Sequence, residues 1–402
     1  MKIGIIKEGK VPPDSRVALP PEPCAYILKN YPSIEIKVQP SPTRCFEDAA
    51  YRDMGISLQE DLSDCDVLIG VKEVPIDELI PNKVYFFFSH TFKKQVYNRK
   101  LLQAIIQKNI HLIDYEALTN DKNQRLIAFG KFAGMVGAHN ALWTYAQRTK
   151  SFEMKRMKDC FDYTAAKKMY KHIYFPSVKI VLTGTGRVAN GAAQVLGDMG
   201  IRKVSATDFL KYDFNEAVFV QLNCHEYAAR KDGEPFVLTD FFQNPAQYKS
   251  IFEPYTKTSD IMINGIYWDN AAPAFFTKEA MKREDFSIKV MADVTCDIAP
   301  VSSIPSTLFA STIADPVFGY DPKTASAVAP YQDHVVDVMS IDNLPNEMPR
   351  DASTNFGEQF IDSVVEELLK MEDSAVIRRA TIARDGGLGV DYGYLEGFVA
   401  GE

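Results

Sequence analysis

The chain has 402 residues, 46% hydrophobic and 24% charged, with a formal net charge of −8. That length suits two or three domains, and the acidic balance gives no electrostatic footprint for nucleic acid. No apolar run approaches the roughly 20 residues that cross a bilayer, and MKIGIIKEGK turns polar too soon for a secretion signal. The six cysteines (Cys24, Cys45, Cys65, Cys160, Cys224, Cys296) are scattered with no C-x-x-C pair, which predicts reduced thiols in a cytoplasmic protein and no zinc or other metal site.

Short β-branched runs alternate with helical patterns from the first residues. KIGII (Lys2–Ile6) reads as a strand, and Arg16 follows it in the loop PPDSRVALPP. IEIKV (Ile34–Val38), DVLIG (Asp66–Gly70), KVYFFFS (Lys83–Ser89) and IHLIDY (Ile110–Tyr115) read as further strands. Between them PEPCAYILKNY, EDAAYRDMG and KQVYNRKLLQAIIQKN carry apolar residues at helical spacing. This alternation predicts a parallel sheet covered by helices.

Parallel sheets of this kind bind ligands at the carboxyl ends of their strands. Three of the runs end in chemistry-bearing residues: Lys72 and Glu73 after DVLIG, Ser89 and His90 in FFFSHT, and Asp114, Tyr115 and Glu116 in LIDYEAL. Any one of these alone reads as a polar strand end facing water; three in succession point to a shared crevice. A lysine and a histidine make a usable acid/base pair, because burial or a nearby cation lowers a lysine pKa and histidine titrates near neutrality. Arg16 and Arg125 can each hold a carboxylate in a bidentate fork, although most arginines are simply solvated. His111, His139, His172, His225 and His334 show no partner pattern and read as structural or exposed.

Phe132 to about Tyr170 is free of proline and rich in helix formers, which predicts a long helix joining two lobes. A second strand series begins near Val178 with VKIVLTG, KVSATDF, IMINGIYW, IKVMADVT and DVMSIDN. Its first strand runs into VLTGTGRVANG, where Gly184, Gly186 and Ala189 fit G-x-G-x-x-G/A. The first glycine permits the tight turn and the second clears a path for a pyrophosphate. Arg187 and Val188 open a helix whose amides and dipole favour that anion. The simpler alternative, glycines that only end a strand, does not account for the strand and helix on either side.

Asp208 is expected at the end of the next strand, where a carboxylate takes an adenosine ribose. Its charge suits NAD over NADP, while Arg202 and Lys203 offset it, so both cofactors stay open. The tail TNFGEQFIDSVVEELLKMED predicts one amphipathic helix with Phe360, Val364, Val365, Leu368 and Leu369 on one face. The expected fold is α/β, with two Rossmann-like lobes, parallel sheets and an interlobe cleft.

GVKEVPIDELIPNKVYFFFSHTFKKQ, NIHLIDYEAL, RLIAFGKFAGMVG, IVLTGTGRVANGAAQVL, ADVTCD and SIDNLPNEMPRDASTNFGEQF together resemble the lysine–ketoglutarate reductase family. These are the lysine-forming saccharopine dehydrogenases of the alanine dehydrogenase/transhydrogenase superfamily. The resemblance implies an NAD- or NADP-dependent oxidoreductase on CH–NH groups that condenses L-lysine with 2-oxoglutarate to saccharopine, or runs the reverse. It implies Lys72 and His90 as the acid/base pair, Arg16 and Arg125 as carboxylate ligands, and Glu73 and Glu116 as neighbours that tune the pair. It places Asp293 and Asp297 near the nicotinamide and substrate, Asp297 preferred, and Asn343 in a loop against the dinucleotide. It also implies a discontinuous catalytic domain, 1–137 plus 345–402, around a dinucleotide-binding domain, 138–344, and a homo-oligomer with small amino-acid and 2-oxoacid substrates. Bifunctional members continue into a second dehydrogenase, so this chain resembles their first half standing alone. Two other readings stand beside it: an alanine dehydrogenase-like enzyme acting on alanine and pyruvate, and a non-catalytic dinucleotide-binding protein, which would be expected to lack Lys72 or His90.

Overall fold

The computed structural model describes residues 1–402, the side chain of Glu372 aside. The chain divides into two units, Met1–Phe129 with Pro349–Glu402, and Gly130–Met348. The helix Gly130–Thr149 opens the second unit whole, so the first division falls ahead of the position 137 drawn from sequence.

The first unit holds an eight-stranded sheet. Its strands lie in the order Gly387–Leu388, Thr381–Arg384, His111–Asp114, Val84–Phe87, Val67–Ile69, Lys2–Ile5, Glu35–Val38, Ser57–Leu58. All neighbours pair in parallel except at the end built from the C-terminal residues, where Thr381–Arg384 runs antiparallel to His111–Asp114. Both faces are buried. Ile3, Ile5, Val67, Ile69, Phe86 and Ile113 pack on one side with Cys24, Ile27, Phe356 and Phe360. Leu68, Tyr85, Phe87 and Leu112 pack on the other with Leu102, Ile105 and Leu395. Two covered faces explain why KVYFFFS is apolar almost throughout instead of alternating.

The tail is not one helix. Pro349–Ser363 and Val365–Lys370 are separated at Val364, whose φ of −123° breaks the helical path. Leu369, expected on the apolar face, is 40% exposed.

The second unit holds another eight-stranded sheet, in the order Ser326–Val328, Phe318–Asp321, Val336–Met339, Val290–Asp293, Ile261–Asn264, Lys179–Thr183, Val218–Leu222, Arg202–Lys203. The last six are parallel, and Phe318–Asp321 pairs antiparallel with Val336–Met339 and Ser326–Val328. The expected single helix from Phe132 to Tyr170 is two. It stops at Thr149, where Lys150 takes a left-handed φ of 55°, and a second helix, Tyr163–Tyr170, starts afresh under an Asp162 cap. Among the described residues no helix is long and apolar enough to cross a membrane.

Gly130–Thr149 packs directly on Arg187–Asp198, the helix that follows the glycine turn. A Cβ on Gly134 would collide with the Val188 carbonyl, and one on Gly191 with that of Lys131, so the two backbones touch with no side chain between them. Backbone cannot swing aside as a side chain can. Gly134→Ala is therefore expected to cost about 3 kcal/mol, the upper end for overpacking. Gly197→Ala, near the exposed end of the same second helix with nothing within 4 Å of its Cβ, should be neutral or stabilising. Equilibrium denaturant unfolding of the two variants checks this; equal midpoints would contradict it.

Candidate active site

Lys2–Ile5, Val67–Ile69, Val84–Phe87 and His111–Asp114 are parallel, so their carboxyl ends share one edge of the first sheet. There Glu73 Oε1 lies 2.8 Å from His90 Nδ1, and Glu73 Oε2 accepts from Lys10 Nζ at 3.0 Å. Burial opposes ionisation of Glu73, but the His90 hydrogen bond, its own backbone amide and Lys10 bring the carboxyl down to about 2. A permanently ionised partner holds the imidazole proton on Nδ1 and leaves Nε2 as the accepting nitrogen. His90 sits at a left-handed φ of 53°, a region histidine tolerates better than most residues.

Lys72 is half-buried beside this pair. Burial and then the positive charge of Arg16 lower its pKa, which makes the neutral amine accessible. Its backbone is held by Glu8, which accepts from Val71 N at 2.7 Å and Lys72 N at 2.8 Å. Sequence reading missed Glu8, although IKEGK sets a carboxylate just past the first strand and the strand-end rule applied to the other three strands covers it.

Asp114 turns out to face inward. It is fully buried. Its Oδ2 accepts from Ser89 N (2.8 Å), Ser89 Oγ (2.6 Å) and His90 N (3.2 Å), and its Oδ1 from Glu116 N (2.7 Å). One carboxylate thus ties the His90 turn to the Glu116 turn. Glu116 pairs with Arg125 and, at 2.7 Å, with Lys93. Arg16 is buried, its Nε and Nη2 both engaged by Asp14 at 2.9 and 2.6 Å, with its guanidinium 4.4 Å over the Phe129 ring. Both arginines that sequence reading offered as carboxylate ligands therefore carry an acid partner of their own.

In the second unit Gly184 has φ 99°, and a Cβ there would come within 2.9 Å of the Gly265 carbonyl oxygen. Gly186 precedes the helix Arg187–Asp198, and a Cβ on it would meet nothing within 4 Å. Arg187 is exposed and Val188 half-buried in the first turn, whose amides lack intrahelical acceptors. The result is an open cradle of N–H groups, which fits a pyrophosphate.

Asp208 is placed differently from expectation. The expected strand is only Arg202–Lys203, because Ser205 caps a helix, Ala206–Lys211, and bonds the Asp208 amide and carboxylate at 3.1 and 2.8 Å. Asp208 is exposed in that helix. The glycine-turn strand lies between Val218–Leu222 and Ile261–Asn264, and Arg202–Lys203 pairs not with it but with Val218–Leu222. Val218–Leu222 carries Gln221, which donates to the Gly184 carbonyl at 3.1 Å and accepts from Lys203 at 2.7 Å, and Asn223 follows its last residue.

Asp293 is buried and turned inward, accepting from Asn264 (2.9 Å), Thr307 (2.7 Å) and the Cys296 amide (3.2 Å). Asp297 differs: its Oδ2 is buried without a hydrogen-bond partner, and burial together with the Asp293 charge pushes its carboxyl up to about 6. Asn343 is half-buried just before the turn Leu344–Glu347. Among the other histidines, His139 is fully buried between Tyr170 Oη and the Lys155 carbonyl.

Residues 4–136 match the family model of the alanine dehydrogenase/PNT N-terminal domain. The matched span is about the first third of the chain. It contains Glu8, Arg16, Lys72, Glu73, His90, Asp114, Glu116 and Arg125, the whole strand-end cluster of the first unit. Over longer stretches the chain is 27% identical to the alpha-aminoadipic semialdehyde synthase of Arabidopsis thaliana, over 98% of this chain and 41% of that protein. It is 28% identical to the mitochondrial enzyme of that name from Mus musculus, over 90% and 44%. The chain thus spans less than half the length of these relatives. It is also 27% identical to the saccharopine dehydrogenase [NAD(+), L-lysine-forming] of Emericella nidulans, over 94% of this chain and 95% of that one. Two solved structures share the fold. They are an L-alanine dehydrogenase (TM-score 0.66, 15% identity, 99% of this chain and 100% of that one) and the transhydrogenase of Sinorhizobium meliloti (0.60, 13%, 96% and 98%).

Proposed function

We propose that the protein is an NAD(P)-dependent oxidoreductase that reductively joins the ε-amine of lysine to 2-oxoglutarate, giving saccharopine, or runs that reaction in reverse. The observation that carries this reading is the Glu73–His90 pair with Lys72 beside it, in a span that matches the alanine dehydrogenase/PNT family model and in a chain whose relatives include lysine-forming saccharopine dehydrogenases. The glycine cradle of the second unit would hold the dinucleotide, which would supply a hydride. His90 Nε2 takes the proton that the substrate ammonium must lose before its amine can attack the keto carbon. Lys72 gives a proton to the hydroxyl that leaves as water when the imine forms. Arg16 and Arg125, oriented by Asp14 and Glu116, bind substrate carboxylates. A homo-oligomer in the cytoplasm belongs to the same reading.

The deciding assay follows NAD(P)H oxidation with lysine plus 2-oxoglutarate and, separately, with pyruvate plus ammonia. Turnover with the first pair alone is expected. Turnover with the second alone makes the protein an alanine dehydrogenase. Dinucleotide binding without turnover on either pair removes the catalytic reading. Asp208→Ala should leave the NADH to NADPH preference within about twofold, as for a surface substitution, because Asp208 lies in a capped helix beyond the neighbouring strand. A tenfold change in that ratio would restore Asp208 as the ribose ligand.

A further inference from the structure

Glu8 has no part in the proton transfers above, yet it is the residue most closely applied to the Lys72 backbone. Its two oxygens are shared out, Oε1 to Val71 N at 2.7 Å and Oε2 to Lys72 N at 2.8 Å. A carboxylate can accept on both oxygens at once. A carboxylic acid or an amide presents a donor on one side, which would face one of these N–H groups. The chain leaves room for this contact. Residue 70 is glycine, and a Cβ there would come 2.7 Å from Ile6 Cδ1 and 3.4 Å from Glu8 Oε1. Nearby, the fully buried Tyr115 hydroxyl has no hydrogen-bond partner and feels the Glu8 charge.

We propose that Glu8 is a positioning residue for Lys72, a carboxylate clamp that fixes the Val71–Lys72 backbone when ionised and lets it go when it takes up a proton. The proposal rests on the reading of Lys72 as a proton carrier. The groups facing Glu8 are Asp14 and Arg16 from the loop after its own strand, the Val71 and Lys72 amides at the neighbouring strand end, and Tyr115 just past His111–Asp114. Burial pushes the Glu8 carboxyl up to about 7 against the pull of the two amides, with Asp14 adding to the push and Arg16 opposing it. The sign follows from that raised value. The ionised fraction grows as pH rises through neutrality, so the clamp closes on the alkaline side and opens on the acid side.

Two measurements on the full chain test this. In the first, the backbone amide proton shifts of Val71 and Lys72 are followed by NMR across neutral pH. They are expected to titrate together near pH 7 in the wild type and to stay flat in Glu8→Gln. In the second, kcat for lysine plus 2-oxoglutarate is measured against pH. Glu8→Gln should lower kcat by about 10–100-fold through misplacement of Lys72, leave the KM for NAD(P)H unchanged, and abolish the acid limb near neutrality. Glu8→Asp, one methylene shorter, should keep the limb with reduced kcat. Wild-type amide shifts that do not titrate, or a Glu8→Gln enzyme with the wild-type kcat and pH profile, would overturn the clamp. A wild type with no turnover on these substrates would instead reject the reaction assigned here and leave the amide titration to decide the role of Glu8. If Glu8→Gln fails to fold, the wild-type titration decides alone.

Discussion

Replacing His90 with alanine is expected to lower turnover of lysine plus 2-oxoglutarate by about 10²–10⁴-fold, the usual contribution of a positioned general acid or base. NAD(P)H affinity and thermal stability should barely change. Glu73 sets this outcome. Its carboxyl is held at about 2, so it is ionised at every pH at which an assay is run, and it fixes the proton on Nδ1. The neutral imidazole then offers Nε2 as its accepting nitrogen. The His90 side chain is 25% exposed, so its removal opens no closed cavity. Stopped-flow turnover, cofactor titration and a thermal melt together check the prediction. An alanine variant that keeps full turnover would falsify the role of His90, and one that loses cofactor affinity in proportion would mean that the histidine acts in binding.

Asp114→Ala is expected to fail in a different way, with stability and turnover lost together. The substitution leaves three backbone amides, those of Ser89, His90 and Glu116, and the Ser89 hydroxyl without their acceptor in a fully buried place. Each buried donor so stranded costs about 1–3 kcal/mol. Burial raises the Asp114 pKa, so the wild type already bears a cost for this carboxylate that the variant escapes. The net loss should be about 3 kcal/mol, which in a unit of this size lowers the melting temperature by about 2–4 °C per kcal/mol. Turnover should fall as well, since the left-handed turn at His90 and the turn at Glu116 lose their common tie. A melt unchanged from wild type would show that the four contacts are replaced by water or by local rearrangement. The contrast between the two variants is informative: His90→Ala should separate activity from stability, and Asp114→Ala should not.

Much of the architecture could be read from local pattern. The strand runs of the first unit are each recognisable because burial on both faces leaves little room for polar residues, and the catalytic candidates stand out because they follow those runs at once. The glycine turn is legible for the same reason. What escaped was decided by non-local geometry. Asp208 follows the next strand-like run in sequence, but the strands beside the glycine turn are later ones, and sequence order gives no access to strand order. Asp293 and Asp297 are four positions apart and chemically alike, and only packing turns the first inward and leaves an oxygen of the second unmatched. Asp114 announces itself as a strand-end acid, while the donors converging on it come from two turns that sequence alone does not bring together. Glu8 was open to the rule used elsewhere and was passed over because it has no distinctive neighbour in the chain.

The antiparallel strand Thr381–Arg384 has a consequence for biosynthesis. A nascent chain emerges N-terminus first, so the contiguous span Gly130–Met348 can complete its own sheet while Met1–Phe129 still waits for residues not yet translated. During that interval the His111–Asp114 edge lacks its partner, and an unpaired edge invites pairing with other chains. The segment made after Met348 is thus the one that seals the earlier-made half, and ribosome pausing or premature termination ahead of Thr381 would expose the very edge that carries Asp114.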